Sequence, residues 1–88
     1  PKVTIGSNCF IGHGVMFTND KFTNGKLNFE EKDWLPTLIG NNVLIGSNST
    51  ILPVRICNDV VIGAGSGVTK DIIEPGIYAG NPAQLKKR

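Results

Sequence analysis

The 88-residue sequence has only two cysteines, one histidine and no apolar run long enough to cross a membrane. Cys9 and Cys57 form at most one disulfide and lack the paired spacing of a metal or redox motif, which points to a reducing, cytoplasmic setting. A membrane helix needs roughly 18 or more consecutive apolar residues, and no signal peptide opens the chain. The net charge of +2 is too small to argue for nucleic acid as a partner. Cations gather only at Lys86, Lys87 and Arg88, which suit at most a local anion site. The glycine-rich string near residue 65 is not closed by Gly-Lys-Ser/Thr, so it is no Walker loop. A chain this short buries a poor fraction of its own surface, so its stability is expected to come from association with other copies. It begins at Pro1 and is inside a repeating pattern by Val3. Repeat stacks need a terminal cap, so the expectation is a piece that lacks upstream coils.

What the sequence does have is a period. Large apolar residues recur at Ile5, Ile11 and Phe17, then Ile39, Ile45 and Ile51, then Ile56, Ile62 and Val68. The step within each triplet is six, and only the join from Ile51 to Ile56 is one residue short. Two positions before these anchors stand Val3, Cys9, Val15, Thr37, Val43, Ser49, Val54, Val60 and Ser66, all small or β-branched. A period of six is neither that of a helix nor the plain alternation of a strand; it suits short strands joined by tight bends. By the two-residue alternation of a strand, each anchor and its partner two positions back face the same way, into a core. Three such edges close one coil. Stacking the coils puts Ile5, Ile39 and Ile56 in one column, Ile11, Ile45 and Ile62 in a second, and Phe17, Ile51 and Val68 in a third. Gly6, Gly12, Gly40, Gly46 and Gly63 directly follow anchors and are expected to turn the corners at positive φ. An ordinary β-sandwich explains neither the phase nor the small residues two places before every anchor.

Between Phe17 and Ile39 the segment from Asn19 to Pro36 leaves the coil. It is polar, carries a turn signal at Asn24-Gly25, and holds Phe22, Phe29 and Trp34. Loops of this length in a compact domain are usually functional or disordered, and exposed aromatics favour a binding role or packing on a neighbouring subunit. After Val68 the pattern is expected to stop. The domain reading is therefore coils over 1–70, with loop 19–36 extruded, and a C-terminal tail over 71–88.

The hexad pattern resembles the hexapeptide-repeat acyltransferase superfamily, and TKD followed by AGNPA resembles the C-terminal end of its members. The resemblance implies an all-β, left-handed parallel β-helix, a hand that departs from the usual crossover rule. It also implies a homotrimer with sites between subunits, and acetyl-CoA as co-substrate. The string GHGVMFTND further resembles the acyltransferases of nucleotide-linked amino sugars, such as dTDP-3-amino-3,6-dideoxyhexoses. It implies a cytoplasmic N-acetyltransferase serving surface-polysaccharide synthesis. A Pro-Arg pair common in that group is replaced here by Lys21, Phe22, Thr23 and Asn24.

His13, flanked by Gly12 and Gly14, is predicted to point outward from a corner, where an imidazole suits a general base. The same resemblance implies that Asn19 and Asp20 hold the amine, through an amide and a carboxylate, and Trp34 is expected to join them in substrate binding. It also implies that the cofactor lies along Ser47, Gly63, Ala64, Gly65 and Ser66, small residues that let a pantetheine arm approach the backbone, with Lys70 near its phosphates. Each has a plainer reading. His13 could be a surface hydrogen-bonding residue, Asn19-Asp20 simple turn chemistry, and the GAGSG string a set of tight corners. No metal is expected, because a zinc site of the carbonic anhydrase type needs about three histidines. A threefold axis would relate three copies of His13 without bringing them into one groove. Two further alternatives are an O-acetyltransferase of a sugar, serine or drug hydroxyl, and a non-enzymatic trimerisation fragment. Ice binding would need ranks of exposed threonine, which the sequence lacks.

Overall fold

The computed structural model describes residues 2–18 and 35–88. Its eleven strands lie in three sheets, which we call faces 1, 2 and 3. Face 1 holds β1 (Val3–Ile5), β4 (Thr37–Ile39) and β7 (Arg55–Ile56). Face 2 holds β2 (Phe10–Ile11), β5 (Leu44–Ile45), β8 (Val60–Ile62), β10 (Gly76–Ala79) and β11 (Gln84–Lys87). Face 3 holds β3 (Met16–Phe17), β6 (Thr50–Ile51) and β9 (Gly67–Val68). Every pairing is parallel except β10 with β11. The chain visits the faces in turn, so each strand pairs with its counterpart in the next coil.

The registers reproduce the three columns: Ile5 over Ile39 over Ile56, Ile11 over Ile45 over Ile62, and Phe17 over Ile51 over Val68. Val43, Ile45, Ile51 and Val60 are completely buried. The positions two before the anchors also face inward, and they include Thr37, Ser49 and Ser66. With no room for larger side chains there, small residues are a condition of closing the coil.

Two expectations need correction. The glycines directly after the anchors do not carry the positive φ. The left-handed residues stand two places later, at Asn8, Gly14, Asn42, Asn48, Asp59 and Gly65. Asparagine and aspartate tolerate that conformation better than other side chains, which is why this place is polar where it is not glycine. The anchor-following glycines serve close stacking instead: a Cβ on Gly12 would lie 2.6 Å from Ser47 N, and one on Gly46 would strike Ala64 N.

The second correction concerns the tail. The pattern does not stop at Val68. Ile72 bridges Ile56, and six residues later Tyr78 pairs with Ile62 in β8, so both continue existing columns into a partial fourth coil. β11 then turns back along β10 and closes that end. Arg88 pairs with Glu74 at 2.9 Å, while the Tyr78 hydroxyl donates to Glu74 O at 2.8 Å. The AGNPA string has a structural task here: Gly67 N donates to Gly80 O, Ala83 N donates to Gly67 O, and Asn81 covers the outside of Gly67.

Candidate functional site

The three faces meet at three corners, and the corners are not alike. The first, between faces 1 and 2, satisfies its own backbone. Ser7 N donates to Asn41 Oδ1 of the next coil at 2.9 Å, and Asn41 N donates to Asn58 Oδ1 of the coil after that at 2.7 Å. Each amide oxygen occupies the space that a side chain on Gly6 or Gly40 would fill. Glycine here makes room for a cap.

The second corner, between faces 2 and 3, lacks that ladder. The equivalent places hold His13, Ser47, Ala64 and Gly80, each two residues past an anchor. They stack in one row, with Asn48 N donating to His13 O at 2.9 Å and Gly65 N donating to Ser47 O at 2.8 Å. Alanine and glycine carry no acceptor. Among the described residues nothing accepts a hydrogen bond from the N–H of His13, Ser47 or Ala64. The result is a shallow row of small residues and open backbone donors, headed by one exposed imidazole.

The interior behind this row is polar. Ser66 Oγ donates to Gly63 O at 2.6 Å, Ser49 Oγ donates to the same oxygen at 3.1 Å, and Ser66 N donates to Ser49 Oγ at 3.2 Å. Both serines are buried. The side chain of Ser66 therefore does not face a ligand on the row, whereas Ser47, Gly63, Ala64 and Gly65 do lie along it. Lys70 is exposed but stands at the third corner, beyond β9, so this chain does not bring it to the His13 row. Asn19, Asp20 and Trp34 lie outside the described residues. Thr18, the last residue described before them, lies at the far end of β3 from His13. A strand rises about 3.3 Å per residue, so the five residues from His13 to Thr18 span at most roughly 16 Å. Thr18 Oγ1 is buried without a partner among the described residues.

Sequence reasoning missed two things here. Gly80 is the fourth member of the row, visible only once Tyr78 is seen as an anchor. The asparagine ladder at Asn41 and Asn58 was written in the sequence as asparagine recurring two places after an anchor, and it defines by contrast which corner is open. An apolar groove of about 410 Å³ does exist elsewhere, on face 1 among Leu38, Arg55, Cys57 and Ile73. Its lining holds no histidine, and it lies away from the His13 row. Burial pushes the Cys57 thiol there above its usual value. Among the described residues, no group of three or more His, Cys, Asp or Glu side chains could hold a metal. No helix among them is long and apolar enough to cross a membrane.

Comparison with known proteins bears on this geometry. The family model described as "Hexapeptide repeat of succinyl-transferase" matches residues 2–16 and 36–70. The bifunctional protein GlmU of Streptococcus uberis is 36% identical over 81 residues, covering 89% of this chain but 18% of its own length. A galactoside acetyltransferase in complex with coenzyme A superposes with a TM-score of 0.79 at 37% identity, over 98% of this chain and 44% of that one. AntD, an N-acyltransferase from Bacillus cereus in complex with dTDP and coenzyme A, superposes with a TM-score of 0.74 at 25% identity, over 97% of this chain and 51% of that one. The chain therefore spans under a fifth of its curated relative. With agreement across nearly all its residues, the coil is the left-handed β-helix that the hexad pattern resembles.

Proposed function

We propose, from the premise that the chain belongs to the hexapeptide-repeat transferase family, that it is part of an acetyl-CoA-dependent acetyltransferase whose acyl donor lies along the second corner. The observation that carries this reading is the contrast between corners. The first closes its N–H groups with asparagine amides; the second leaves those of Ser47 and Ala64 open beside glycine and alanine. Neighbouring parallel strands lie about 4.8 Å apart, so these donors suit acceptors spaced along an extended chain such as a pantetheine arm. The two coenzyme A complexes among the similar structures support that donor. His13, one coil beyond Ser47, is the candidate general base at the end of the row.

The acceptor in this reading is the amine of a nucleotide-linked amino sugar, such as a dTDP-3-amino-3,6-dideoxyhexose destined for surface polysaccharide. Support comes from the GHGVMFTND string and from AntD, whose complex contains dTDP. The amine lone pair attacks the thioester carbonyl, the tetrahedral intermediate expels the thiolate, and the ammonium proton passes to His13 or to that thiolate. A second reading, transfer to a sugar hydroxyl, is favoured by the higher identity of the galactoside acetyltransferase. A hydroxyl holds its proton more tightly, so His13 would then be essential, with general-base catalysis contributing roughly 10²–10⁴-fold.

The partner in this reading is a second and third copy of the chain. Outward residues of face 2 form an apolar ladder, Phe10 beside Leu44 beside Val61 beside Ile77, with Phe10 62% exposed. That ladder borders the second corner, so a copy packed on it would wall the His13 row. A cytoplasmic location follows from the donor. The test is thiol release from acetyl-CoA with dTDP- and UDP-linked amino sugars and their hydroxyl analogues, with His13→Ala in parallel. Turnover with an amino sugar alone supports the first reading, turnover with a hydroxyl analogue alone supports the second, and silence with both refutes the pair.

A further inference from the structure

We infer that Ser49 and Ser66, buried and out of reach of any ligand, are positioning residues that aim the Ala64 N–H at the acyl donor. This rests on the acyl-donor reading above. The peptide between Gly63 and Ala64 is trans, the Asn81-Pro82 bond being the only cis bond among the described residues. In a trans peptide the carbonyl oxygen and the amide hydrogen point in opposite directions. Gly63 O is held toward the interior by two hydroxyls, from Ser66 at 2.6 Å and Ser49 at 3.1 Å. The Ala64 N–H is therefore turned away from the interior, at a corner where the chain offers it no acceptor. Neither serine is needed to fill space better than alanine or valine would: Val54 and Val60 hold equivalent inward places. What the hydroxyls add is a fixed peptide plane, ready before the ligand arrives.

The experiment is calorimetric titration of the full chain with coenzyme A, for the unaltered protein, Ser66→Ala, Ser66→Thr and Ser49→Ala, with KM and kcat for acetyl-CoA measured alongside. Threonine keeps the hydroxyl and already occupies an inward place at Thr37. Losing one hydrogen bond's worth of orientation corresponds to roughly a fivefold weaker Kd for Ser66→Ala. A matching rise in KM, kcat changed less than twofold and affinity restored in Ser66→Thr are expected. The Ala64 amide resonance should also move in ligand-free Ser66→Ala and return in Ser66→Thr. Should Ser66→Ala not fold, Ser49→Ala carries the same comparison through the longer bond. Unchanged affinity in both alanine variants, with only the unfolding temperature lowered, would overturn the proposal and leave the serines a packing role. An unaltered chain that binds no coenzyme A would overturn the acyl-donor reading, and this inference with it.

Discussion

Replacing Ala64 with asparagine should make the protein more stable and weaken its hold on the acyl donor proposed for it. The first corner provides the template: Asn58 caps Asn41 N from the coil below at 2.7 Å, its amide oxygen lying in the space left by Gly40. At the second corner Ala64 stands to Ser47 as Asn58 does to Asn41, but the atoms nearest Gly46 are the backbone N and Cα of Ala64 where Gly40 meets a side-chain oxygen. An asparagine at position 64 would carry its amide oxygen toward the Ser47 N–H, in the place where Asn58 serves Asn41. A net gain of about 1 kcal/mol is expected for one new hydrogen bond to an otherwise uncapped donor. For a domain of this size that is roughly a 4–8 °C rise in Tm. The same side chain would take the donor from the ligand and fill the row, so coenzyme A affinity should fall by at least about tenfold, one lost hydrogen bond plus a steric clash. Thermal unfolding and calorimetric titration of Ala64→Asn read both quantities. A variant that is less stable, or that binds coenzyme A as tightly as before, would refute the reading of the Ser47 N–H as an uncapped donor that serves the ligand.

Two further outcomes follow from the interior and the tail. Thr37 is 1% exposed and its Oγ1 has no hydrogen-bond partner among the described residues, while Val3 and Val54 hold the places beside it in the same inward column. Thr37→Val removes a desolvated hydroxyl at nearly constant volume and should raise stability by roughly 1–2 kcal/mol; a lower urea midpoint would contradict it. Tyr78 is pushed above its usual range, chiefly by burial and then by the Glu74 carboxylate. Its phenol stays protonated longer in the folded chain than in the unfolded one, so its contribution is intact below about pH 10 and is lost as pH climbs past that value. Tyr78→Phe, which gives up the hydrogen bond to Glu74 O, should start lower at pH 8 and fall less steeply toward pH 11 in urea melts; parallel slopes would count against the assignment.

The repeat was legible because each coil must meet the same packing condition. Ile45, Ile51 and Ile62 could be stacked from spacing alone, and their neighbours two places back had to be small because the interior of a three-faced coil is narrow. The place of the left-handed residue was harder to read. Gly12 and Gly46 look like turn glycines, but close approach of the next coil also demands glycine, and a sequence does not distinguish the two reasons. Ile72 and Tyr78 escaped notice because Lys70 stands where a small inward residue was sought, and because the step from Val68 to Ile72 is shorter than six. Among the site residues, His13, Ser47, Ala64 and Gly65 converge on one corner. Ser66 was chosen for its place in a small-residue string, although its own inward phase already directed it to the core. Lys70 was placed near phosphate by the family resemblance, yet its position two residues past Val68 assigns it to another corner.

The proposed role of the second corner as the binding track for the acyl donor is tested most directly by an amide-resolved NMR titration of the isotope-labelled chain with coenzyme A. The Ser47, Ala64 and Gly65 resonances should shift together on one saturating isotherm, while Asn41 and Asn58 at the capped first corner stay in place. Saturable shifts at Asn41 and Asn58 with Ser47 and Ala64 unmoved would contradict it.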